Sequence, residues 1–449
     1  MSLSAEWRQR DLKVLWHPCT QMSDHEWLPL TPIARGAGVW LYDHDGRRYL
    51  DAISSWWVNL FGHCHPAISA AVADQAQRLE HVILAGFSHE PAIELAERLI
   101  ALAGAPFARV FYADSGSAAI EVALKMSLHY WRNQGQTQRT RFIVLDGGYH
   151  GETVGALSMT QVPLYRETYR PLLLEPIVAP SPDAWLALPG ESAEDCARRA
   201  AAALEAILAE HADSVCALLF EPLVQCAQGM RMHHPLYLAE ARRLCDRYGI
   251  HWIADEVAVG FGRTGHLFAH QAAGVKPDFL CIGKGLTGGY LPLSAVLTTD
   301  AIYQAFYDDY ASLKAFLHSH SYTGNALACR AATATLDLLA DGKVLARNQE
   351  LGAVFDAALA PLAAHPHVGE VRRCGMIAAV ELVADRNTRE GFDWRERRGL
   401  RVYQHALSQG ALLRPLGNVV YFMPPYVIEP EEIRWLAEVA AEGIERACR

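Results

Sequence analysis

One lysine stands in a sequence context suited to covalent chemistry. Lys284 follows the apolar run 279–282 and lies between Gly283 and Gly285. Only six of the 40 basic residues are lysines, so amines are scarce in this chain. An amine can lose its proton and attack a carbonyl, whereas a guanidinium stays charged. We interpret Lys284 as a Schiff-base nucleophile whose glycine neighbours let a flat ligand approach, although for a lone lysine a solvated loop position is the alternative.

A carboxylate at the end of another apolar strand gives this lysine a chemical partner. The segment 249–257 predicts a short buried strand that ends at Asp255 and Glu256. Open α/β sheets bind ligands at the carboxyl ends of their parallel strands. Pyridoxal 5'-phosphate needs a lysine for its aldehyde and an acid that keeps its ring nitrogen protonated. We therefore predict that Asp255 and Lys284 bind this cofactor, with a helix cap or a structural ion pair as the alternative for Asp255.

A third segment is suited to bind phosphate. A predicted strand, 109–114, runs into Ser115, Gly116 and Ser117, and a helix follows from Ala118. Free N–H groups at a helix start and small hydroxyls bind phosphate well, although an ordinary serine cap has the same sequence. No dinucleotide fingerprint follows a strand, and the residues around Lys284 do not form a nucleotide-binding P-loop.

Composition excludes several other classes of function. The chain has 449 residues, 51% of them hydrophobic, and a net charge of −10, which favours a large core and disfavours nucleic-acid binding. We expect no signal peptide and no membrane span. We also expect no metal site, because the histidine pairs 63/65 and 318/320 lack a second cluster at zinc-like spacing. The ten cysteines lack C-x-x-C spacing, which indicates free thiols in a reducing cytoplasm.

The order of the predicted elements indicates an α/β fold. From Pro66 helix-like and strand-like segments alternate, which is typical of a mainly parallel sheet covered by helices. After about residue 341 the pattern changes to a smaller α+β arrangement. We therefore predict a large cofactor-binding domain, 66–340, and a small domain made of 1–65 and 341–449. The segment 160–195 is expected to be a long, proline-rich loop. Asp45 and Gly46 predict the turn of a short hairpin near the N-terminus. A helix is predicted over 235–248, with Pro235 at its start and Gly249 just beyond its end.

Several motifs together resemble the class III, fold-type I aminotransferases that use pyridoxal phosphate, and the resemblance covers nearly the whole chain. These motifs are Trp16-His-Pro18, Ser54-Ser-Trp-Trp57, Ala113-Asp-Ser-Gly-Ser117, Gly148-Tyr-His-Gly151, Ile253-Ala-Asp-Glu256, Gly260-Phe-Gly-Arg-Thr-Gly265, Gly283-Lys284, Leu286-Thr-Gly-Gly289, Leu413-Arg-Pro415 and Met423-Pro-Pro-Tyr426. Within the family, the double tryptophan and the Arg414 segment resemble members that transfer an amino group from S-adenosylmethionine to 8-amino-7-oxononanoate. That reaction yields 7,8-diaminononanoate in biotin biosynthesis.

The resemblance implies a role for each matching residue of the cofactor site. Lys284 would hold the cofactor's aldehyde carbon and move the proton between that carbon and the substrate. Asp255 would hold the pyridine nitrogen, and Gly116 and Ser117 would bind the phosphate. Tyr149 would lie against the ring or the substrate, with a core tyrosine as the alternative.

It also implies a substrate site and a partner subunit. Arg414 would pair with the acceptor's carboxylate, since a guanidinium matches a carboxylate as a two-pronged fork, with a surface ion pair as the alternative. Trp56 and Trp57 would line the substrate site, with core packing as the alternative. The segment 319–321 matches one that reaches the partner subunit's cofactor and substrate. Ser319 would contact substrate, and His320 and Ser321 the cofactor, which implies a homodimer.

The sequence departs from the family pattern at a few positions. Cys19 replaces a tyrosine that often recognises substrate, 319–321 is Ser-His-Ser where Gly-Pro-Thr is common, and Glu152 replaces aspartate. Because of Cys19, a lysine donor remains open. Glu221 ends another predicted strand, and we expect a supporting role for it in gating or ion pairing.

Three alternative functions remain at this stage. One is another class III aminotransferase that acts on a β-alanine-like or other ω-amine, and another is an aminomutase of the same fold. The third is a catalytically inactive pyridoxal-binding scaffold, which would not need to retain Lys284 and Asp255.

Overall fold

The computed structural model describes residues 2–449. The α-helices are α1 (Leu3–Asp11), α2 (Ser54–Trp57), α3 (Pro66–Ala76), α4 (Glu90–Ala103), α5 (Gly116–Asn133), α6 (Val154–Met159), α7 (Pro163–Arg166), α8 (Ala193–His211), α9 (Leu236–Tyr248), α10 (Asp300–Gln304), α11 (Ala326–Leu339), α12 (Lys343–Leu359), α13 (Arg398–Gln409) and α14 (Pro430–Cys448). Short 3-10 helices span Met22–Glu26, Glu167–Leu172, Ala184–Leu186, Ala212–Ser214, Ala269–Ala273, Lys284–Thr287, Tyr310–Ser312, Ala360–Ala364 and Trp394–Glu396.

The strands complete the list of elements. They are β1 (Ile33–Ala37), β2 (Trp40–Asp43), β3 (Arg48–Asp51), β4 (Phe107–Ala113), β5 (Arg141–Leu145), β6 (Ile177–Ala179), β7 (Val215–Phe220), β8 (Val224–Gln225), β9 (Arg231–Met232), β10 (His251–Asp255), β11 (Phe279–Ile282), β12 (Ser294–Thr299), β13 (Val368–Cys374), β14 (Ile377–Asp385), β15 (Glu390–Gly391), β16 (Ala411–Leu412) and β17 (Val419–Phe422).

The chain divides into two compact units. Unit 1 comprises the chain up to Pro66 together with Leu351–Val371 and Ala378–Arg449. Unit 2 comprises Ala67–Glu350 and Arg372–Ile377. The second boundary lies inside α12, between Glu350 and Leu351, whereas the predicted boundary lies before that helix, at residue 341.

Unit 2 contains a seven-stranded sheet in the order β4-β12-β11-β10-β7-β5-β6. Strand β12 is antiparallel to both of its neighbours, and the other pairs for which the register is known are parallel. The mainly parallel α/β sheet predicted from the sequence is therefore confirmed. Because β10 and β11 are adjacent and parallel, their carboxyl ends bring Asp255 and the residues after Ile282 to the same edge.

Helix α5 packs on this sheet through small side chains. Its buried face includes Ala119, Ile120 and Ala123, and it joins a core cluster with strand residues such as Ile253 and Phe279. Full burial of each large apolar side chain contributes about 1.5–3 kcal/mol. This packing fixes the start of α5 relative to the ends of β10 and β11, which is the geometry that the phosphate-binding prediction requires.

Unit 1 is built on smaller sheets. The first has the order β1-β2-β3-β16, and its hairpin β2-β3 is the one predicted from the Asp-Gly turn at Asp45 and Gly46. In the second, β14 pairs with β13, β15 and β17. Helices α13 and α14 complete the unit.

Within residues 2–449, no helix combines the length and apolar character needed to cross a membrane. No disulfide joins any of the cysteines, and six of the ten are buried.

Candidate active site

Lys284 begins the 3-10 helix that follows β11. Gly283 is extended, and Lys284 has a φ of 42°, a left-handed conformation that is uncommon for a residue with a side chain. Its side chain is partly buried. Burial lowers the pKa of the Lys284 ammonium, while Asp255, Cys226 and Glu221 oppose that change. A lowered pKa increases the fraction of neutral amine, which is the nucleophilic form.

Asp255 ends β10 and is almost fully buried. Its Oδ2 accepts a hydrogen bond from His150 Nδ1 at 2.8 Å, and its Oδ1 accepts one from the backbone N–H of Val257 at 3.1 Å. A carboxylate has about four acceptor positions, so Asp255 keeps capacity for a further N–H donor. His150 Nε2 is buried and has no partner among residues 2–449. The pair is therefore a buried acceptor held in place by a histidine.

A second carboxylate lies near this pair. Both oxygens of Glu221 accept backbone hydrogen bonds at 3.0 Å, one from Tyr149 and one from Cys226. Burial, together with the charge of Asp255, raises the pKa of Glu221 to about 7. Glu221 therefore titrates near neutral pH and fixes the backbone of the loop that carries Tyr149. Its predicted gating role stays a prediction.

The start of α5 forms the predicted phosphate-binding turn. Ser115 caps the helix by accepting the N–H of Ala118 at 3.2 Å, which leaves Gly116 and Ser117 in the first turn. A Cβ on Gly116 would lie 2.6 Å from Val257 Cγ1, so only glycine fits against the loop after Asp255. A Cβ on Gly151 would lie 1.9 Å from Ser117 Oγ. These two glycines keep the backbone around the helix start closely packed.

The residues of unit 2 fit pyridoxal phosphate. They provide an amine with a lowered pKa, a buried carboxylate with spare acceptor capacity, and a helix N-terminus of the kind that binds phosphate. Tyr149 belongs to the same loop as His150, and its hydroxyl donates to Glu152 at 2.9 Å. Gly116 packs against Val257, two residues after Asp255, and the charges of Asp255 and Glu221 act on Lys284. That all of these residues contact one cofactor stays a prediction.

The predicted substrate residues of unit 1 also form a cluster. Arg414 Nη2 donates to the backbone carbonyl of Cys19 at 2.6 Å, and its guanidinium carbon lies 5.1 Å from the ring centre of Trp56. All three residues line a cavity of about 390 Å³. Within residues 2–449 no carboxylate pairs with Arg414, which argues against the ion pair considered from the sequence. The charge of Arg414 remains available to an anionic ligand.

The two neighbouring tryptophans have different environments. Trp56 is 38% exposed and faces the cavity, whereas Trp57 is 3% exposed. The indole N–H of Trp57 donates to the Tyr421 hydroxyl at 3.0 Å. Trp57 is thus a core residue of unit 1, as in the alternative considered above, and its direct contact with substrate stays a prediction.

The segment 319–321 lies near the surface of unit 2. His320 Nε2 is 3.2 Å from His318 Nε2, and the carbonyl of Ser321 accepts from His81 Nε2 at 2.8 Å. Ser319 and Ser321 are exposed. Their predicted contacts require a second subunit and stay predictions.

No role is predicted for His150 from the sequence, although it belongs to the motif Gly148-Tyr-His-Gly151. His150 and Asp255 are 105 residues apart, and no local sequence signal predicts the hydrogen bond between them. The role of Glu256 was also missed. Its carboxylate accepts from the backbone of Ala269 and His270 and from His270 Nδ1, so it caps a 3-10 helix. A glutamate directly after Asp255 was the available signal.

Known proteins share this architecture. The family model for aminotransferase class-III matches residues 22–444. The chain is 46% identical over 429 residues to an adenosylmethionine-8-amino-7-oxononanoate aminotransferase of Helicobacter pylori, covering 94% of each chain. The solved structure of the protein of that name from Methanocaldococcus jannaschii has 36% identity and a TM-score of 0.92, covering 98% of this chain and 99% of the other. An omega transaminase from Pseudomonas jessenii, in complex with PMP, has 31% identity and a TM-score of 0.93, covering 100% of this chain and 98% of the other.

Proposed function

This chain belongs to the class III aminotransferases, and we propose that it transfers an amino group from S-adenosylmethionine to 8-amino-7-oxononanoate. The product is 7,8-diaminononanoate, and the reaction is a step of biotin biosynthesis. The observation that carries this proposal is the 46% identity, over 94% of each chain, to a relative named for this reaction. The cofactor is pyridoxal 5'-phosphate.

The residues of unit 2 account for the cofactor chemistry. Bound pyridoxal phosphate supplies an aldehyde that holds the amine and a ring that withdraws electrons from it. Lys284 Nζ would bind the aldehyde, and after the substrate amine displaces it, the freed amine would move a proton at the amine-bearing carbon. Its lowered pKa supports both roles. Asp255 would keep a proton on the ring nitrogen, with His150 holding the carboxylate in place.

Phosphate binding would fix the orientation of the cofactor. The first N–H groups of α5, at Gly116 and Ser117, carry the positive end of the helix dipole and have no partners within the helix. Ser117 Oγ accepts from the backbone of Glu152 at 3.1 Å, so its hydroxyl hydrogen can be donated to an anion. A phosphate held here would lie close to the loop that follows Asp255, because Gly116 packs against Val257.

Arg414 and Trp56 would recognise the acceptor. The acceptor combines a carboxylate with a hydrocarbon chain, and the cavity of unit 1 offers both kinds of contact. Its lining includes Arg414 and several leucines, among them Leu28, Leu30 and Leu412. Arg414 is held by Cys19 and Trp56 with its charge unpaired, which reduces the entropic cost of binding a carboxylate.

We also propose that the chain acts as a homodimer, with the segment 319–321 reaching the partner's site. Large apolar side chains around this segment are exposed in the single chain, such as Tyr310 at 87% and Leu317 at 85%. Large apolar side chains that lie close together on a surface and are this exposed are typical of a protein–protein interface. Leu317→Glu should lower the dimer fraction in sedimentation velocity, whereas Leu164→Glu, at an equally exposed site on α7, should not. Equal effects of the two substitutions would contradict this interface.

The donor is tested by single-turnover spectroscopy of the cofactor-loaded enzyme. S-adenosylmethionine should bleach the yellow absorbance of the bound cofactor, and 8-amino-7-oxononanoate should restore it. Lysine and β-alanine, offered at the same concentration, should leave the colour unchanged. Bleaching by lysine alone would replace the proposed donor, and bleaching by β-alanine alone would indicate an ω-amine transaminase. An unchanged colour with all three amines would contradict the proposed reaction.

A further inference from the structure

Four consecutive residues of unit 1 adopt a backbone conformation that L-amino acids rarely adopt. The φ angles of Ser54, Ser55, Trp56 and Trp57 are 51°, 46°, 72° and 75°. These residues form one turn of left-handed helix, named here the left-handed turn, and it contains no glycine. Each side chain in such a turn crowds the following carbonyl, so the conformation persists only where surrounding contacts enforce it.

Those contacts converge on one carboxylate. Asp51 is fully buried, and its Oδ1 accepts from the backbone N–H groups of Ile53 at 3.3 Å and Ser55 at 3.0 Å. Its Oδ2 accepts from Ser55 Oγ at 2.7 Å and from His63 Nε2 at 3.0 Å. Two of the four bonds therefore hold Ser55, inside the left-handed turn.

His63 holds the other side of this carboxylate. Its Nδ1 lies 3.3 Å from the Asn59 amide nitrogen, so Nδ1 accepts and Nε2 carries the hydrogen donated to Asp51. The backbone of His63 exchanges two hydrogen bonds with Gly38, at 2.7 and 3.2 Å. A Cβ on Gly36 would lie 2.6 Å from His63 Cβ, so glycine is needed beside it. His63 is thus fixed independently of the turn that it supports.

The left-handed turn determines where the two tryptophans point. Ser54 Oγ donates to the carbonyl of Met423 at 2.7 Å, and the buried Trp57 bonds Tyr421. Trp56 is left at the cavity, with its ring 5.1 Å from the Arg414 guanidinium carbon. A right-handed turn would change the directions of both side chains and separate Trp56 from Arg414.

We propose that Asp51 and His63 are positioning residues that hold the left-handed turn and thereby set the affinity for the acceptor. This inference rests on the proposed function, in which Arg414 and Trp56 bind 8-amino-7-oxononanoate. The pair itself touches no substrate. Its effect passes through the turn to the ring of Trp56, which lies beside the guanidinium of Arg414.

The substitutions Ser55→Ala and Ser55→Gly provide a matched test in the cofactor-loaded enzyme. Both remove the hydroxyl that bonds Asp51, but only alanine keeps the steric penalty of the left-handed conformation. We expect the KM for 8-amino-7-oxononanoate to be about fivefold higher in the alanine variant than in the glycine variant. The single-turnover rate with the donor should be similar in the two. Equal acceptor KM values, or a parallel loss of the donor reaction, would overturn the proposal.

A second pair of variants tests the carboxylate directly. Asp51→Asn should raise the acceptor KM about tenfold, and adding Ser55→Gly to it should recover most of that loss. Amide hydrogen exchange of the segment 54–59 should accelerate in Asp51→Asn and slow again in the double variant. A double variant no better than Asp51→Asn in either measurement would overturn the positioning role. A wild-type enzyme that does not use the acceptor would refute the proposed function, while the exchange measurement still decides whether Asp51 holds the turn.

Discussion

Arg414 gives the sharpest test of acceptor recognition. Its guanidinium is partly buried, donates to the Cys19 carbonyl at 2.6 Å and lies 5.1 Å from the Trp56 ring centre. Loss of one member of a desolvated charge pair costs about 2–5 kcal/mol. Because Arg414 is only partly buried, we expect Arg414→Ala to cost the lower part of this range, about 2–3 kcal/mol. That corresponds to a decrease in kcat/KM for the acceptor of roughly 30- to 150-fold.

The assay separates the two half-reactions. The amino form of the enzyme is mixed with 8-amino-7-oxononanoate, and the return of cofactor absorbance gives the acceptor rate. The cofactor-loaded form is mixed with S-adenosylmethionine, and the loss of absorbance gives the donor rate. Arg414→Ala should reduce the acceptor rate at low concentration and change the donor rate by no more than about threefold, because the donor half-reaction does not involve the acceptor's carboxylate.

Two controls make this result specific. Arg414→Lys keeps the charge and loses the two-pronged geometry, so its acceptor kcat/KM should lie between those of wild type and the alanine variant. Arg397 lines the same cavity but is paired with Asp24 at 2.6 Å, so Arg397→Ala should have a much smaller effect on the acceptor. Equal losses in both half-reactions for Arg414→Ala, or an equal loss for Arg397→Ala, would refute the role given to Arg414.

Other predictions follow from the cofactor site and from Cys19. The Lys284→Ala variant should fold normally, as measured by circular dichroism. Its transamination rate should fall by about three orders of magnitude or more, because the substitution removes both the covalent anchor and the proton carrier. A wild-type rate would contradict the role given to Lys284. Asp255→Asn should still bind the coloured cofactor but slow the donor half-reaction by about a hundredfold or more, and a wild-type rate would make Asp255 structural only. The pKa of Glu221 is raised from 4.5 to about 7, so the folded state favours the protonated carboxyl. The contribution of Glu221 to the free energy of unfolding is therefore full below about pH 4.5 and is lost as the pH rises through 7. Glu221→Gln should therefore flatten the decline of unfolding free energy over that window in denaturant titrations, and an unchanged slope would contradict the shifted pKa. Cys19→Tyr should change the donor rate by no more than about threefold, because Arg414 uses the backbone carbonyl of residue 19, which a tyrosine would also supply; a tenfold change would assign the side chain a role in donor choice.

The predicted helices and strands of unit 2 agree closely with the structure where the chain carries clear end signals. Helix α9 was predicted over 235–248 and spans Leu236–Tyr248, because Pro235 precedes it and Gly249, with a φ of 60°, ends it. Helix α11 was not predicted. Ten of its 14 residues are buried, many of them alanine, and its only charged residues are Arg330 and Asp337, so the sequence shows little contrast between a polar and an apolar face. Strand β6, inside the predicted loop 160–195, is only three residues long and too short for an alternation signal.

The part of the site that depends on short sequence motifs was predictable. Asp255 ends one buried strand and Lys284 comes shortly after its parallel neighbour, so their proximity follows from the fold class. The left-handed turn at 54–57 was not predictable, because nothing in Ser-Ser-Trp-Trp favours positive φ. The turn depends on the hydrogen bond between Asp51 and His63, which are 12 residues apart and meet only because the chain folds back between them. The different environments of Trp56 and Trp57 follow from that turn and were therefore beyond sequence reasoning.

The central claim is that nitrogen passes from S-adenosylmethionine to carbon 7 of the acceptor. Incubation of the cofactor-loaded enzyme with ¹⁵N-amino-labelled S-adenosylmethionine and unlabelled 8-amino-7-oxononanoate, followed by mass spectrometry, measures this transfer directly. We expect 7,8-diaminononanoate that carries one ¹⁵N atom, and no labelled product from the Lys284→Ala variant. The proposed reaction would be contradicted if the wild-type enzyme formed no ¹⁵N-labelled product from labelled S-adenosylmethionine but did form labelled product from ¹⁵N-labelled lysine.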